Sequence, residues 1–305
     1  VTQCLAVELL KYPKIERIDK CQEFYANHDV VIQEKIDGSN VGIHVCEAGT
    51  WGVQSRNQTL SADNAGMFSK VFDWCRVRAL SGVFDQLYQT FQTPVVLYGE
   101  MIGNGKLRYE GAPDFILFDV YVSSEERYLA PDELIELAQR FKIDYLPYLY
   151  RGPFRNIEHV QSLIQESGID NSVTMEGVVV KAYGDIKCWY RRASDDEMIY
   201  YTETMLAAKC VREDYQEVKA PRTSLKTAVD PLAVIVDSVV TEARIRKAAQ
   251  RAEEMGKDIR KPHNLIPLVA KDVHEEESEL IKEMLFKAYW KPINKLIAQR
   301  VLQEV

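Results

Sequence analysis

Glu34-Lys35-Ile36-Asp37-Gly38-Ser39-Asn40 follows the apolar run Val30-Val31-Ile32, so a lysine closes a strand and enters a tight polar turn. A lysine so placed can attack the α-phosphate of a nucleotide and hold it as a phosphoramidate. That chemistry sets a demand. At the ordinary pKa of about 10.4, only about four lysines in ten thousand are neutral at pH 7. Desolvation and neighbouring cations must lower that value. Reaching pH 7–8 corresponds to about 3–5 kcal/mol of ammonium destabilisation. Gly38 leaves room for close backbone approach in the turn. Taken alone, the heptapeptide also suits a surface lysine at a strand end.

Four further groups follow in an order that fits the same chemistry. Gln54-Ser55-Arg56-Asn57 places an arginine after a second strand, suited to a bidentate phosphate contact. Leu97-Tyr98-Gly99-Glu100 ends a strand on a carboxylate that can accept from a ribose hydroxyl. Ile116-Leu117-Phe118-Asp119-Val120 sets an aromatic in a buried strand, either as core or as a base-stacking ring. Glu176 and Lys181 flank Gly177-Val178-Val179-Val180, and a carboxylate there can hold the divalent cation that nucleotidyl transfer needs.

The elements that must carry these groups are legible in outline. β-Branched and aromatic content predicts strands at Val30–Ile32, Val41–Val45, Pro94–Tyr98, Phe115–Val120 and Gly177–Lys181. Helical patterns lie at Met67–Leu80, at Pro131–Phe141 with its Pro-Asp-Glu start, and at His159–Glu166. Strands and helices without strict alternation predict an α+β domain of antiparallel sheets with flanking helices over 1–220. Lys219–Lys226, basic and holding Pro221, reads as a linker. Beyond it Leu232–Met255 and Glu275–Leu302 carry apolar residues at helical spacing, separated by Gly256 and Pro262-His263-Asn264. These predict a small all-helical C-terminal domain over 227–305.

Composition limits the class. The 305 residues are 46% hydrophobic and 28% charged, as in a water-soluble globular chain with room for two domains. No apolar run approaches the roughly 20 residues of a bilayer span, so no membrane partner is expected. An intracellular, cytoplasmic location is expected, with an organellar leader left open because the chain starts at Val1. The six cysteines are scattered, which argues against a zinc site or a disulfide framework. A net charge of −8 disfavours tight nonspecific nucleic-acid binding, so contact falls to local basic stretches: Lys219–Lys226, and Arg244, Arg246, Lys247 and Arg251. On oligomeric state the sequence is silent, and a monomer is the default expectation.

Together these motifs resemble the covalent nucleotidyltransferase superfamily of ATP-dependent DNA ligases, RNA ligases and capping enzymes. Within it the chain is most similar to the RNA ligase 2 family of phage RNA-repair and kinetoplastid RNA-editing ligases. Lys11-Tyr12-Pro13-Lys14-Ile15-Glu16 is similar to that family's start, and Val240–Arg251 and Asn264–Glu276 resemble its helical C-terminal domain. The resemblance implies an adenylyltransferase fold and an ATP-dependent RNA ligase that uses Mg2+ or Mn2+. It implies that Lys35 forms lysyl-AMP, Glu34 reads the adenine edge and Phe118 stacks on the base. Arg56 and Glu100 would hold the ribose and phosphate side, and Asn40 would help engage the 5′-phosphate end. Glu176 would organise the metal with Asp37, Lys181 would support the charge pattern of its strand, and Lys209 would assist phosphoryl transfer. The implied partner is RNA with 3′-hydroxyl and 5′-phosphate ends, as in a nicked duplex, with end-healing supplied by other enzymes. One departure stands out: the family ends its pocket with Lys-x-Lys, whereas Lys209-Cys210-Val211 keeps only the first lysine. A non-catalytic end-binding module and a DNA ligase are the alternatives.

Overall fold

In chain order the elements are β1 (Glu16–Arg17), β2 (Asp29–Lys35), β3 (Ser39–Val45), β4 (Trp51–Ser55), β5 (Thr59–Leu60), α1 (Ser69–Leu80), α2 (Val83–Phe91), β6 (Val95–Met101), β7 (Phe115–Val122), β8 (Arg127–Tyr128), α3 (Pro131–Phe141), β9 (Tyr148–Pro153), α4 (Ile157–Ser162), β10 (Gly177–Arg191), β11 (Met198–Val211), α5 (Pro231–Val239), α6 (Glu242–Glu254) and α7 (Pro262–Glu304). The computed structural model describes residues 7–304 apart from 14, 22–23, 25–27, 104, 192–197, 213–214 and 216–229. The chain divides into two compact units, Val1–Val211 and Arg212–Val305. The basic stretch Lys219–Lys226 lies outside the described residues.

The first unit is α+β. One sheet has the order β1-β11-β10-β2-β9 and the other β5-β4-β3-β6-β7-β8. Pairing is antiparallel except for the short β1, which runs parallel to β11. The β-branched runs read from the sequence fall in β2, β3, β6, β7 and the start of β10. Val41, Ile43, Leu97 and Leu117 pack with Phe72 and Phe84 of α1 and α2 in one core. Ile32, Val178, Val180 and Ala208 pack with Phe154 and Val160 in the other. α3 begins where the Pro-Asp-Glu signal puts it, with Pro131 in the first turn and the Glu133 carboxylate accepting from the Ala130 N–H at 2.7 Å.

β2 leaves its sheet at Lys35, and after the three-residue turn Ile36–Gly38 the chain enters β3 of the second sheet. The nucleophile candidate therefore sits at the junction between two sheets. A Cβ on Gly38 would lie 2.4 Å from the Met101 carbonyl oxygen, so the turn closes only around glycine.

The second unit is helical. Asp230 caps α5, its carboxylate accepting from the Leu232 N–H at 3.0 Å, and Thr241 caps α6. Pro262, read above as a separator, instead opens α7, where its missing N–H is one that no helical carbonyl would have used. Arg244 is fully buried and donates to Asp272 and, at 2.8 Å, to Glu277. Leu232, Ile235, Val239, Ile245, Leu265 and Ile281 line an open apolar cavity of about 750 Å³.

Candidate active site

Register brings the chemistry of the first unit together. Gly177 of β10 pairs with Lys35 at the end of β2, so Glu176 stands beside the lysine, and Nζ meets Oε2 at 2.7 Å. Asn40 of β3 is opposite Glu100 of β6, which places a second carboxylate at the same junction. Lys209 of β11 is opposite Val179, two residues along β10 from Gly177. The charge of Lys209 is felt at Glu176 and that of Arg56 at Glu100. Lys35, Glu100, Glu176, Arg56 and Lys209 thus form one electrostatic group.

The electrostatics differ from the sequence expectation of a depressed lysine. Burial does push the Lys35 ammonium downward, but the carboxylates of Glu176, Glu100 and Asp37 outweigh it and leave the pKa above its ordinary value. Those acids bear the cost of crowding. Burial is the main cause that drives Glu100 up to about 8, with the charges of Glu176 and Asp37 adding to it against the pull of Lys35. Glu176 is also raised by burial, opposed by Lys35. Burial and crowding thus disfavour the charged forms of these two acids.

Glu34 precedes the lysine and points to the other face of β2. Burial raises its pKa, against hydrogen bonds from Ser167 and the Gly168 N–H, the latter at 2.9 Å. Its other oxygen, Oε1, is buried without a partner, as is Oδ1 of Asn40. Buried acceptors left unsatisfied are costly, so each marks a place for a donor.

Phe118 is half-buried between two small apolar clusters. Lys181 lies under it, with Nζ 4.8 Å from the ring centroid. The Lys181 ammonium is buried and bonded to Asp119 at 2.7 Å and to the Phe118 carbonyl at 3.3 Å. Burial lowers its pKa, opposed by Asp119. Asp119 also accepts from the hydroxyls of Tyr12 and, at 2.6 Å, Tyr183. Lys181 is therefore committed to holding the Phe118 ring and its strand from beneath.

Asp37 is likewise committed. Its Oδ2 accepts the N–H groups of Lys106 at 2.5 Å and Leu107 at 2.8 Å, while its own N–H donates to the Tyr109 hydroxyl at 3.2 Å. Gly105 packs so closely that a Cβ there would sit 2.1 Å from the Asp37 carbonyl oxygen. The segment Gly105–Tyr109 is strapped onto the nucleophile turn. Sequence reading missed this strap, as it missed Ser167 and Gly168 behind Glu34 and the roles of Tyr12, Asp119 and Tyr183. A glycine-rich stretch between β6 and β7 was the available signal.

Among the described residues no three His, Cys, Asp or Glu side chains converge as a preformed metal site. The donor set nevertheless suits a hard divalent cation, because Glu100 and Glu176 are oxygen donors whose mutual repulsion already shifts Glu100 upward. Arg212, the residue after Val211, begins the second unit, and its guanidinium lies 5.3 Å from the Tyr215 ring centroid.

A profile of the RNA ligase family matches residues 28–193, which is more than half of the chain and spans Lys35, Arg56, Glu100, Phe118, Glu176 and Lys181. The chain belongs to the RNA ligase family. Solved structures of Naegleria gruberi RNA ligase are similar to it. A lysine-to-methionine variant with AMP and Mn has 19% identity and a TM-score of 0.49, over 70% of this chain and 60% of that one. A lysine-to-alanine variant with ATP and Mn has 20% identity and a TM-score of 0.47, over 67% and 59%. The chain thus spans about three fifths of the length of those ligases. No curated protein matches it.

Proposed function

We propose that the protein is an ATP-dependent RNA ligase that joins 3′-hydroxyl and 5′-phosphate ends through lysyl-AMP. The observation that carries this reading is Lys35 paired to Glu176 at 2.7 Å where the two sheets meet, inside the matched family segment. Lys35 Nζ attacks the α-phosphorus of ATP and pyrophosphate leaves. The AMP passes to the 5′-phosphate of the break. The 3′-hydroxyl then attacks that activated phosphate, and AMP departs. Each step is an in-line displacement, so positioning and charge neutralisation supply the catalysis.

The residues divide the work. Glu34 Oε1 accepts from the adenine amino group, and Phe118, propped by Lys181, offers a ring to the base. Arg56 and Lys209 face the phosphates. Glu176 and Glu100 are the carboxylates for Mg2+ or Mn2+, which would neutralise charge on the reacting phosphates. Whatever takes up the charges of Glu176, Glu100 and Asp37 frees Lys35 from the carboxylates that raise it, and burial is then left to favour the neutral amine. The helical unit, 227–305, engages the 3′-hydroxyl side of the break.

A second reading, a non-catalytic end-binding module, draws on Val211 at the position of the family's second lysine. Incubation of ATP and Mg2+ with a nicked RNA duplex separates the two. A ligase yields joined strand and a trace of adenylated 5′ end; binding without either product refutes the enzyme reading.

A further inference from the structure

Between α4 and β10 the chain turns back on itself. Ser167 donates its N–H to the Val173 carbonyl at 2.7 Å, and Met175 donates to that of Gln165 at 3.0 Å, so residues 165–175 form a short hairpin. Its first arm backs Glu34, where the Ser167 hydroxyl and the Gly168 N–H both donate to the carboxylate. Its second arm runs into Glu176 through Met175, which is buried in the core with Val160 and Val178. The base of the hairpin is thereby fixed. The tip is held differently. Asp170 Oδ1 closes the turn by accepting from the Ser172 N–H at 2.9 Å and hydroxyl at 2.6 Å. Its Oδ2 accepts the Glu110 N–H at 2.7 Å. Glu110 follows directly on the strap that grips Asp37 through Lys106 and Leu107. Beneath this tie, Ile169 and Val173 of the hairpin pack against the apolar cluster that holds Ile36 of the nucleophile turn and Tyr109 of the strap. Phe118 packs against the same cluster.

We propose that Asp170 is a positioning residue for base selection: it ties the hairpin tip to the strap and so fixes, through Ser167 and Gly168, the oxygen that Glu34 presents to the base. The proposal rests on the reading of Glu34 as the acceptor of the adenine amino group. Glu34 Oε1 is buried without a partner, so its aim is set by what holds the rest of the carboxylate. Asp170 suits the task because one of its oxygens serves the turn and the other serves the strap. The donors around it, the Ser172 hydroxyl first, hold its pKa below the ordinary value, which keeps it a charged acceptor at neutral pH. The same strap grips the turn that follows Lys35. The base-reading acid and the nucleophile are thus referred to one support, as in-line attack on a bound nucleotide requires.

The test compares adenylation rates at subsaturating nucleotide for ATP and for its analogue whose purine lacks the 6-amino group. The full chain is used, first stripped of any bound AMP with pyrophosphate, and melting temperatures report that each variant folds. The ratio of the two rates measures base selection, and in the wild type ATP should lead. Asp170→Ala should lower the ratio by roughly fivefold through slower reaction of ATP, leaving the analogue's rate near that of the wild type. Asp170→Asn, with one acceptor oxygen for two sets of donors, should lower it in the same way. Glu34→Ala should lower the ratio further, and adding Asp170→Ala to it should change the ratio no more, because the two act through one contact. Equal losses with both nucleotides in the Asp170 variants would make the residue a general support and overturn the inference. An unchanged ratio in those variants, beside a lowered one in Glu34→Ala, would overturn it too while leaving the reading of Glu34 in place. A Glu34→Ala ratio equal to that of the wild type, or a wild type that takes up no nucleotide, would overturn both.

Discussion

At the scale of single residues, the site is defined by acids whose surroundings disfavour their charged forms. Glu100 titrates at about 8 in the folded protein against an ordinary 4.5. The folded state therefore binds the extra proton between those values. Its contribution to stability is complete below about 4.5 and is lost as pH rises through about 8. Melting temperature of the ligand-free protein should fall from pH 5 to pH 8, and Glu100→Gln should remove a large part of that slope. Equal slopes in the two proteins would show that Glu100 ionises freely. Lys35, Arg56, Glu100, Phe118 and Glu176 were legible in the sequence because each stands at a strand end or in a strand whose apolar run announces it. The commitments of Lys181 and Asp37 were not legible. Both depend on partners about 60 to 70 residues away, Asp119 and the backbone of Lys106 and Leu107, and no local pattern encodes such a pairing.

At the scale of elements, two features should respond sharply to substitution. Gly105→Ala forces its Cβ against Asp37 and should release the strap from the nucleophile turn, at about 1–3 kcal/mol. The expected readout is slower adenylation with a small drop in melting temperature; unchanged adenylation would make the strap incidental. In the helical unit, Arg244→Ala leaves Asp272 and Glu277 buried without their guanidinium and should cost about 3–5 kcal/mol. Urea unfolding of the variant measures it. α3 was readable to the residue, since its start signal and apolar spacing agree with its tertiary packing. α7 was misjudged at Pro262, because a proline both breaks a helix interior and suits a first turn. The long β10–β11 hairpin was read only at its start: beyond Lys181, Gly184, Asp185 and Lys187 interrupt the apolar run, although Ile186 and Cys188 still reach the core.

At the scale of the whole molecule, the proposed action on RNA requires an acidic chain to confine its cations to the place of contact. The −8 net charge and the local group of Lys35, Arg56 and Lys209 fit that division. Removing 227–305 should leave adenylation of the first unit and abolish sealing; sealing that persists would refute a role for the helical unit at the 3′-hydroxyl end. The central claim is that Lys35 carries the nucleotide. Intact-mass measurement after incubation with ATP and Mg2+, followed by peptide mapping, tests it most directly. The account predicts one added AMP on the peptide holding Lys35, and none in Lys35→Ala. An adduct that persists in that variant, or maps to another lysine, would contradict it.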